Sequence, residues 1–348
     1  MKDKITSFQV AQRAGVSQSA VSRVFTPGAS VSKKTEAKVR AAATELGYRP
    51  NVLARAMVSG KSRIIGLVVA YLDNHFYPEA LEKLSNALQA RGYHVLVFMA
   101  SQTAGNIDDV MAEILDYQVD GIVMASAAMS SDIASRCQQA GVPVVLFNRS
   151  QDIDGITSVT SDNIAGGRKA AEFLLAGGHE RIAYVAGWEG ASTQRDREAG
   201  FRAGLAGAGV VLFARAVGDY RTAEAQAAAR ALFDVAPAMR PDAVFVANDH
   251  MAFAVMDVIR FELGLRIPED VSVVGYDDVP PAAWAAYNLT TVRQRANLMV
   301  EETVDALMAH IETPDTAAPR RVAIDGPLVV RGSARMPGAR VQFDKDGT

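Results

Sequence analysis

The stretch VAQRAGVSQSAVSRVF, Val10 to Phe25, leaves this chain the fewest folding options. Val10, Ala11 and Ala14 recur at helical spacing, the pattern stops at Gly15, and it resumes with Val21 and Val24. Gly15 can adopt the positive φ that ends a helix, and Ser17 is suited to cap the next one. Ala11 is small where two helices would cross closely. Two helices joined through the three-residue turn Gly15-Val16-Ser17 make a helix-turn-helix. The second helix then presents Gln18, Ser19, Ser22 and Arg23 where an ordinary surface helix would carry Glu and Lys. A plain helical hairpin leaves that face unexplained. Short hydroxyl and amide side chains suit the donors and acceptors on base edges in a major groove, and an arginine there can take guanine or phosphate. The expectation is a face that reads duplex DNA, with Ser17 to Ser19 at the end that enters the groove.

A third helix follows. Ser32 caps it, Lys33, Lys34, Lys38 and Arg40 form its basic side, and Val39, Ala43 and Leu46 its buried side. Gly47 is placed to end it. Pro50 keeps Arg49 out of helical geometry, and Asn51 can cap one more short helix, VLARAM. Charge supports the same partner. Residues 1–63 hold 12 Lys/Arg against 3 Asp/Glu, a net +9, while the remainder carries 24 basic and 36 acidic residues, a net −12. A basic head on an acidic body points to a polyanion for the head alone.

From Ile64 onward, apolar runs such as IIGLVVA, HVLVFMA, DGIVMAS, PVVLFN, RIAYVAG, AVFVAND and VSVVGYDD alternate with amphipathic segments. That is the pattern of parallel sheets covered by helices on both faces. About 270 residues of it exceed one comfortable sheet, so two lobes are expected. Ligands of such sheets bind beyond the carboxyl ends of strands. Polar residues stand there: Asn148 and Arg149 after VVLF, Asn248 and Asp249 after VFVA, Asp277 and Asp278 after VVGY.

Enzyme signatures fail one by one. No G-x-S-x-G elbow occurs, and SGKS at 59–62 lacks the first P-loop glycine because Arg55 stands in its place. GLAGAG (204–209) follows a helix and not a strand. The five histidines are scattered without zinc spacing. No metal and no cofactor is expected. The single cysteine, Cys137, excludes an internal disulfide framework and agrees with a reducing compartment. With no apolar h-region in MKDKITSFQV and no run long enough to span a bilayer, a cytoplasmic protein without membrane contact is expected.

The sequence resembles the LacI/GalR family of bacterial transcription regulators. VAQRAGVSQSAVSRVF, VSKKTEAKVRAAATELGYRPN, SDNIAGGRKAAEFLLAGGHERIAYVAG, RDREAGF, FVANDHMA and SVVGYDDVP…LTTV carry the likeness, in order, from residue 7 to about 333. The resemblance implies an α/β body, two-lobed like periplasmic sugar-binding proteins, behind an all-α helix-turn-helix head at 1–50. It places a hinge helix and linker at 51–62 and an effector-binding and dimerisation domain at 63–333. Crossovers near Asp162, Thr291 and Arg321 would give lobe 1 residues 63–161 and 292–321, and lobe 2 residues 162–291 and 322–333. The tail at 334–348, RMPGARVQFDKDGT in large part, is expected to be disordered.

In that family paired hinges enter a minor groove, which assigns Asn51, Ala54, Arg55 and Met57 to DNA beside Ser17, Gln18, Ser19, Ser22, Arg23, Lys33 and Lys34. Met57 stands where leucine is usual; its other reading is a surface residue that meets the dimer mate. Effector roles fall by resemblance on Arg197, Asp277, Asn248 and Tyr220, with Asn148, Arg149, Tyr71, Phe76, Tyr77 and Ser126 as further candidates. Arg197 and Asp277 read equally as a structural ion pair, and Phe76 and Tyr77 as lobe packing or dimer surface. The implied function is a homodimeric repressor, with no tetramer heptad, that binds a palindromic operator under control of a carbohydrate-like effector. The alternative is a DNA-binding head fused to a sugar-metabolising enzyme.

Overall fold

The computed structural model describes residues 5–26, 29–49, 61–100, 104–126, 129–151 and 155–338. Asn51, Ala54, Arg55 and Met57 of the expected hinge lie outside the described residues, as do residues 339–348 of the expected tail. The chain divides into two units, Met1–Arg63 and Ile64–Thr348.

In the first unit, α1 (Ser7–Ala14), α2 (Gln18–Val24) and α3 (Lys33–Leu46) each start and stop on local chemistry. Thr6 and Gln9 form a reciprocal capping box that satisfies two orphan N–H groups of α1. Gly15 closes α1 at φ 65°, and the Ser17 hydroxyl accepts from the Ala20 N–H at 3.2 Å to open α2. Ser32 caps α3 in the same way, and Gly47 ends it at φ 67°. Val10, Val21 and Val39, one from each helix, meet in a core closed by Ala11, Ala14, Val24, Ala42 and Ala43. Leu46 is only half-buried. Each fully buried valine contributes about 1.5–3 kcal/mol, so this small unit depends on few side chains.

The second unit runs β1 (Ile64–Val69), α4 (Phe76–Ala90), β2 (His94–Met99), α5 (Ala104–Asp116), β3 (Gly121–Ala125), α6 (Ser131–Gln139), β4 (Val144–Phe147) and β5 (Thr157–Ser161). It continues with α7 (Asn163–Ala176), β6 (Ile182–Ala186), α8 (Ser192–Gly207), β7 (Ala214–Val217), α9 (Thr222–Phe233), β8 (Ala243–Val246) and α10 (Asp249–Asp257). The last elements are β9 (Ser272–Asp277), β10 (Thr290–Arg293), α11 (Ala296–Glu312), β11 (Arg321–Ile324) and β12 (Leu328–Val329). They build two six-stranded sheets, β11-β5-β4-β3-β1-β2 and β12-β10-β9-β8-β6-β7. Every pairing is parallel except β10 with β12. Central strands such as β1, β3, β8 and β9 are buried along their whole length, as sheets covered on both faces require. Cys137 is buried in α6, and burial pushes its thiol up to about 11, so it is a poor nucleophile near neutral pH. Among the described residues no helix is long and apolar enough to cross a membrane.

Asp162 caps α7 through the Ala165 N–H at 2.9 Å, at the first passage between sheets. The other two passages fall later than the sequence implies. β10 stays on the second sheet through Arg293, paired with Asp277 of β9, so that crossing follows Arg293 and not Thr291. β11 belongs to the first sheet through Ile324, paired with Ser161, so the last crossing follows Ile324 and not Arg321. Ladder register, which composition does not encode, sets both positions. The tail boundary also moves. Ser333 and Ala334 are buried, the Ser333 hydroxyl donates to the Val273 carbonyl at 2.7 Å, and the Arg335 N–H donates to Ser272 Oγ at 2.9 Å. Residues 334 and 335 are therefore docked on the second lobe, not disordered.

Candidate DNA-reading face and interlobe cleft

On the head, α2 turns Val21 and Val24 inward, which leaves Gln18, Ser19, Ser22 and Arg23 exposed together with the cap Ser17. Gln18 Nε2 donates to Ser7 Oγ at 2.9 Å, and the hydroxyls of Ser17 and Ser19 lie 2.9 Å apart. Arg23 has no ion pair among the described residues and borders a hollow of about 380 Å³ with Phe25, Thr26 and Arg40. Arg40 is by contrast neutralised by Glu36 at 2.8 Å. Lys33 and Lys34 are exposed in the first turn of α3. Cations there oppose the helix dipole, typically by about 0.3–1 kcal/mol each. The stability of the helix itself gives no reason for them, and a helix N-terminus with two lysines is a suitable setting for a phosphate.

In the second unit, segments beyond strand ends of the two sheets meet across the crevice between the lobes, Asn74 with Asp277 and Arg149 with Thr193, and the chain leaves several strands through strained turns. Ser126, Asn148, Asp219, Tyr220, Asp277 and Asp278 all have φ between 53° and 129° without being glycine. Such conformations cost about 1–3 kcal/mol each and persist where surroundings dictate a side-chain direction. Asp277, 3% exposed, is the hub. It accepts from Asn74 Nδ2 of the first lobe at 3.1 Å and from Gln294 Nε2 at 2.7 Å, and it faces Arg197 Nη2 at 3.5 Å. Burial raises the Asp277 pKa while Arg197 pulls against it. Burial likewise opposes the Arg197 charge, but Asp277 together with Tyr220, Tyr276 and Tyr184 outweighs it and holds the guanidinium above its ordinary value. Each nitrogen of Arg197 has a partner: Nε donates to Asn163 at 2.8 Å, Nη1 to the Ala247 carbonyl, Nη2 faces Asp277, and the guanidinium lies 3.7 Å from the Tyr276 ring centre. The ion-pair reading of Arg197 and Asp277 is thus realised in this structure. Asn163, the first residue of α7, orients Arg197.

Opposite, Arg149 reaches from the end of β4 to the second lobe. Its Nη1 donates to Thr193 Oγ1, and its guanidinium sits 5.8 Å from the Tyr220 ring. Beside it the Ser150 N–H donates to Ser192 Oγ at 3.0 Å. Asn148 Nδ2 donates to the Tyr77 hydroxyl at 3.2 Å, and Tyr71 packs edge-on against Tyr77. Asn248 caps α10 through the Met251 N–H at 3.0 Å. Ser126 is buried and accepts from the Ala70 N–H at 3.4 Å. Phe76, an effector candidate whose other reading was lobe packing or dimer surface, is buried in the first lobe and stacked on Phe147. Sequence reading missed Asn74, Thr193 and Gln294. Only Gln294, directly beyond the TTVR strand end, carried a local signal.

Seven buried side-chain polar atoms among the described residues have no hydrogen-bond partner. Five of them, Asn148 Oδ1, Arg149 Nε and Nη2, Asn248 Nδ2 and Gln294 Oε1, belong to residues at these strand ends. Folded proteins rarely leave such atoms unsatisfied. All five lie on residues just beyond strand ends, where ligands of such sheets bind.

A basic helix-turn-helix head and a two-lobed body with a polar crevice define a DNA-binding regulator that responds to a small molecule. Residues 8–51 match the bacterial regulatory proteins of the lacI family, and residues 171–334 match the periplasmic binding protein-like domain. The HTH-type transcriptional regulator CelR of Thermobifida fusca is 35% identical over 334 residues, spanning 93% of this chain and 96% of that protein. The ribose operon repressor of Escherichia coli K12 is 31% identical over 335 residues, spanning 94% of this chain and 99% of the repressor. The solved complex of CelR with cellobiose covers 95% of this chain at 32% identity and a TM-score of 0.72. The lac repressor dimer bound to operator and the anti-inducer ONPF covers 95% at 29% identity and a TM-score of 0.85. The chain belongs to the LacI family and is a DNA-binding transcription regulator.

Proposed function

We infer that the protein is a homodimeric repressor whose grip on an inverted-repeat operator is set by a carbohydrate-like effector held between the lobes. The five unpartnered buried polar atoms at the crevice carry this reading, because they combine donors and acceptors in the way hydroxyl groups demand. The relatives add that CelR has been solved with cellobiose and the lac repressor as a dimer on operator. Arg197, Asp277, Asn148, Arg149, Asn248 and Tyr220 are assigned to the effector, joined by Asn74, Thr193 and Gln294; Tyr71, Tyr77 and Ser126 support them from the first lobe. The ligand is expected to leave unchanged, as an effector does, and the protein to work in the cytoplasm.

On the DNA side the reading assigns Gln18, Ser19, Ser22 and Arg23 to bases, and Lys33 and Lys34 to phosphates. Arg23→Ala should relax sequence preference by about 1–3 kcal/mol at one position of each half-site. Lys33→Ala should weaken all duplexes alike and reduce the salt slope by about one. Competition binding over a salt series separates the two, and an intact preference in Arg23→Ala would refute the base assignment. Effector and operator must also be linked reciprocally, by a coupling of about 1–3 kcal/mol. Calorimetry of effector binding with and without operator tests this: identical affinities would remove allosteric control.

A further inference from the structure

We propose that the effector carries an oxyanion, a carboxylate in the arrangement that fits best, seated on Arg149. This rests on the reading that the interlobe crevice is the effector site. The two arginines of the crevice are treated differently by the fold. Arg197 has Asp277, Asn163 and the Ala247 carbonyl, so all its nitrogens are engaged and its charge is balanced. Arg149, 5% exposed, has Thr193 Oγ1 on Nη1 and the Tyr220 ring nearby, but no carboxylate pairs with it among the described residues. Its unpartnered atoms are Nε and Nη2. Those two N–H groups form one edge of the guanidinium fork, the edge that takes both oxygens of a carboxylate side by side.

A buried cation with two N–H groups of its fork unused is costly to keep. A helix start lies beside it. Thr193 stands in the first turn of α8, whose cap residue Ala191 offers no side-chain bond to the free N–H groups there. An anion placed on Arg149 would satisfy the fork and face that helix end at once. The remaining open atoms, Asn148 Oδ1, Asn248 Nδ2 and Gln294 Oε1, are neutral and of mixed donor and acceptor character, which suits the hydroxyls of the same molecule. An anionic polyol, such as a hexuronate or hexonate, meets both demands; a neutral hexose leaves the fork empty.

The test is calorimetry on the full-length protein with D-glucuronate, D-galacturonate and D-gluconate, the amide of each acid, the parent hexoses and their 6-phosphates. At least one acid should bind about 30-fold more tightly than its amide, which has the same outline without the charge. Arg149→Gln should abolish that acid-over-amide ratio. A phosphate ester as the tightest ligand would keep the oxyanion and assign it to a phosphoryl group. A neutral hexose or an amide that binds as well as its acid would overturn the inference and leave the carbohydrate reading standing. Binding of no member of the panel would count against both. Should Arg149→Gln fail to fold, the acid-to-amide ratio of the wild type decides alone.

Discussion

Asp277→Ala should lower the melting temperature by about 10 °C, the response of a domain this size to a loss of about 3–5 kcal/mol. The side chain itself is small; the loss comes from what it leaves behind. Arg197 is 2% exposed, and among the described residues Asp277 is the carboxylate that pairs with it. Removal of the carboxylate leaves a buried guanidinium uncompensated and frees the donors of Asn74 and Gln294. The double variant Arg197→Met/Asp277→Ala should recover much of the loss, because it removes both charges together. Thermal melts of the two single variants and the double variant give the coupling directly. Additive losses would mean that the pair does not interact as drawn.

Gly200→Ala should cost about 3 kcal/mol and abolish effector binding. The packing of α7 on α8 depends on bare backbone: a Cβ at Gly200 would lie 2.0 Å from the Ile164 carbonyl oxygen, and one at Gly167 2.1 Å from the Arg197 carbonyl oxygen. Backbone cannot step aside as a side chain does, so the helices would have to part. Because α8 carries both Thr193 and Arg197, separation displaces both anchors of the crevice. Gly207 at the end of the same helix has nothing within 4 Å of its Cβ position. Gly207→Ala should therefore be neutral, or stabilising by up to about 1 kcal/mol. Denaturant melts with effector titrations distinguish the pair; equal behaviour of the two variants would refute the close-packing explanation.

Residues that act on their own neighbourhood were the legible ones. Ser17, Ser32, Gly15 and Gly47 fix the ends of the head helices within a few positions of themselves, so the helix-turn-helix and its exposed face could be read directly. The crevice was legible where polar residues interrupt strand ends, as at Asn148, Asn248 and Asp277. It was illegible where partners come from far away: Asn74 meets Asp277 across 203 residues, and Arg149 meets Thr193 across 44. Edge strand β7, ARAV, carries an arginine and lacks the buried run that betrays a central strand. The docking of Ala334 and Arg335 was hidden because one small buried side chain and a backbone bond to Ser272, not an apolar run, hold them down.

The whole scheme needs α2 to read bases and the ligand in the crevice to set how strongly it does so. Fluorescence anisotropy of the full-length protein tests both at once, with an inverted-repeat duplex selected from a random pool against its scrambled counterpart, with and without the ligand found by calorimetry. The selected duplex should bind at least about 1,000-fold more tightly than the scrambled one, and the ligand should shift its affinity about tenfold. Equal affinity for both duplexes, unmoved by ligand, would contradict it.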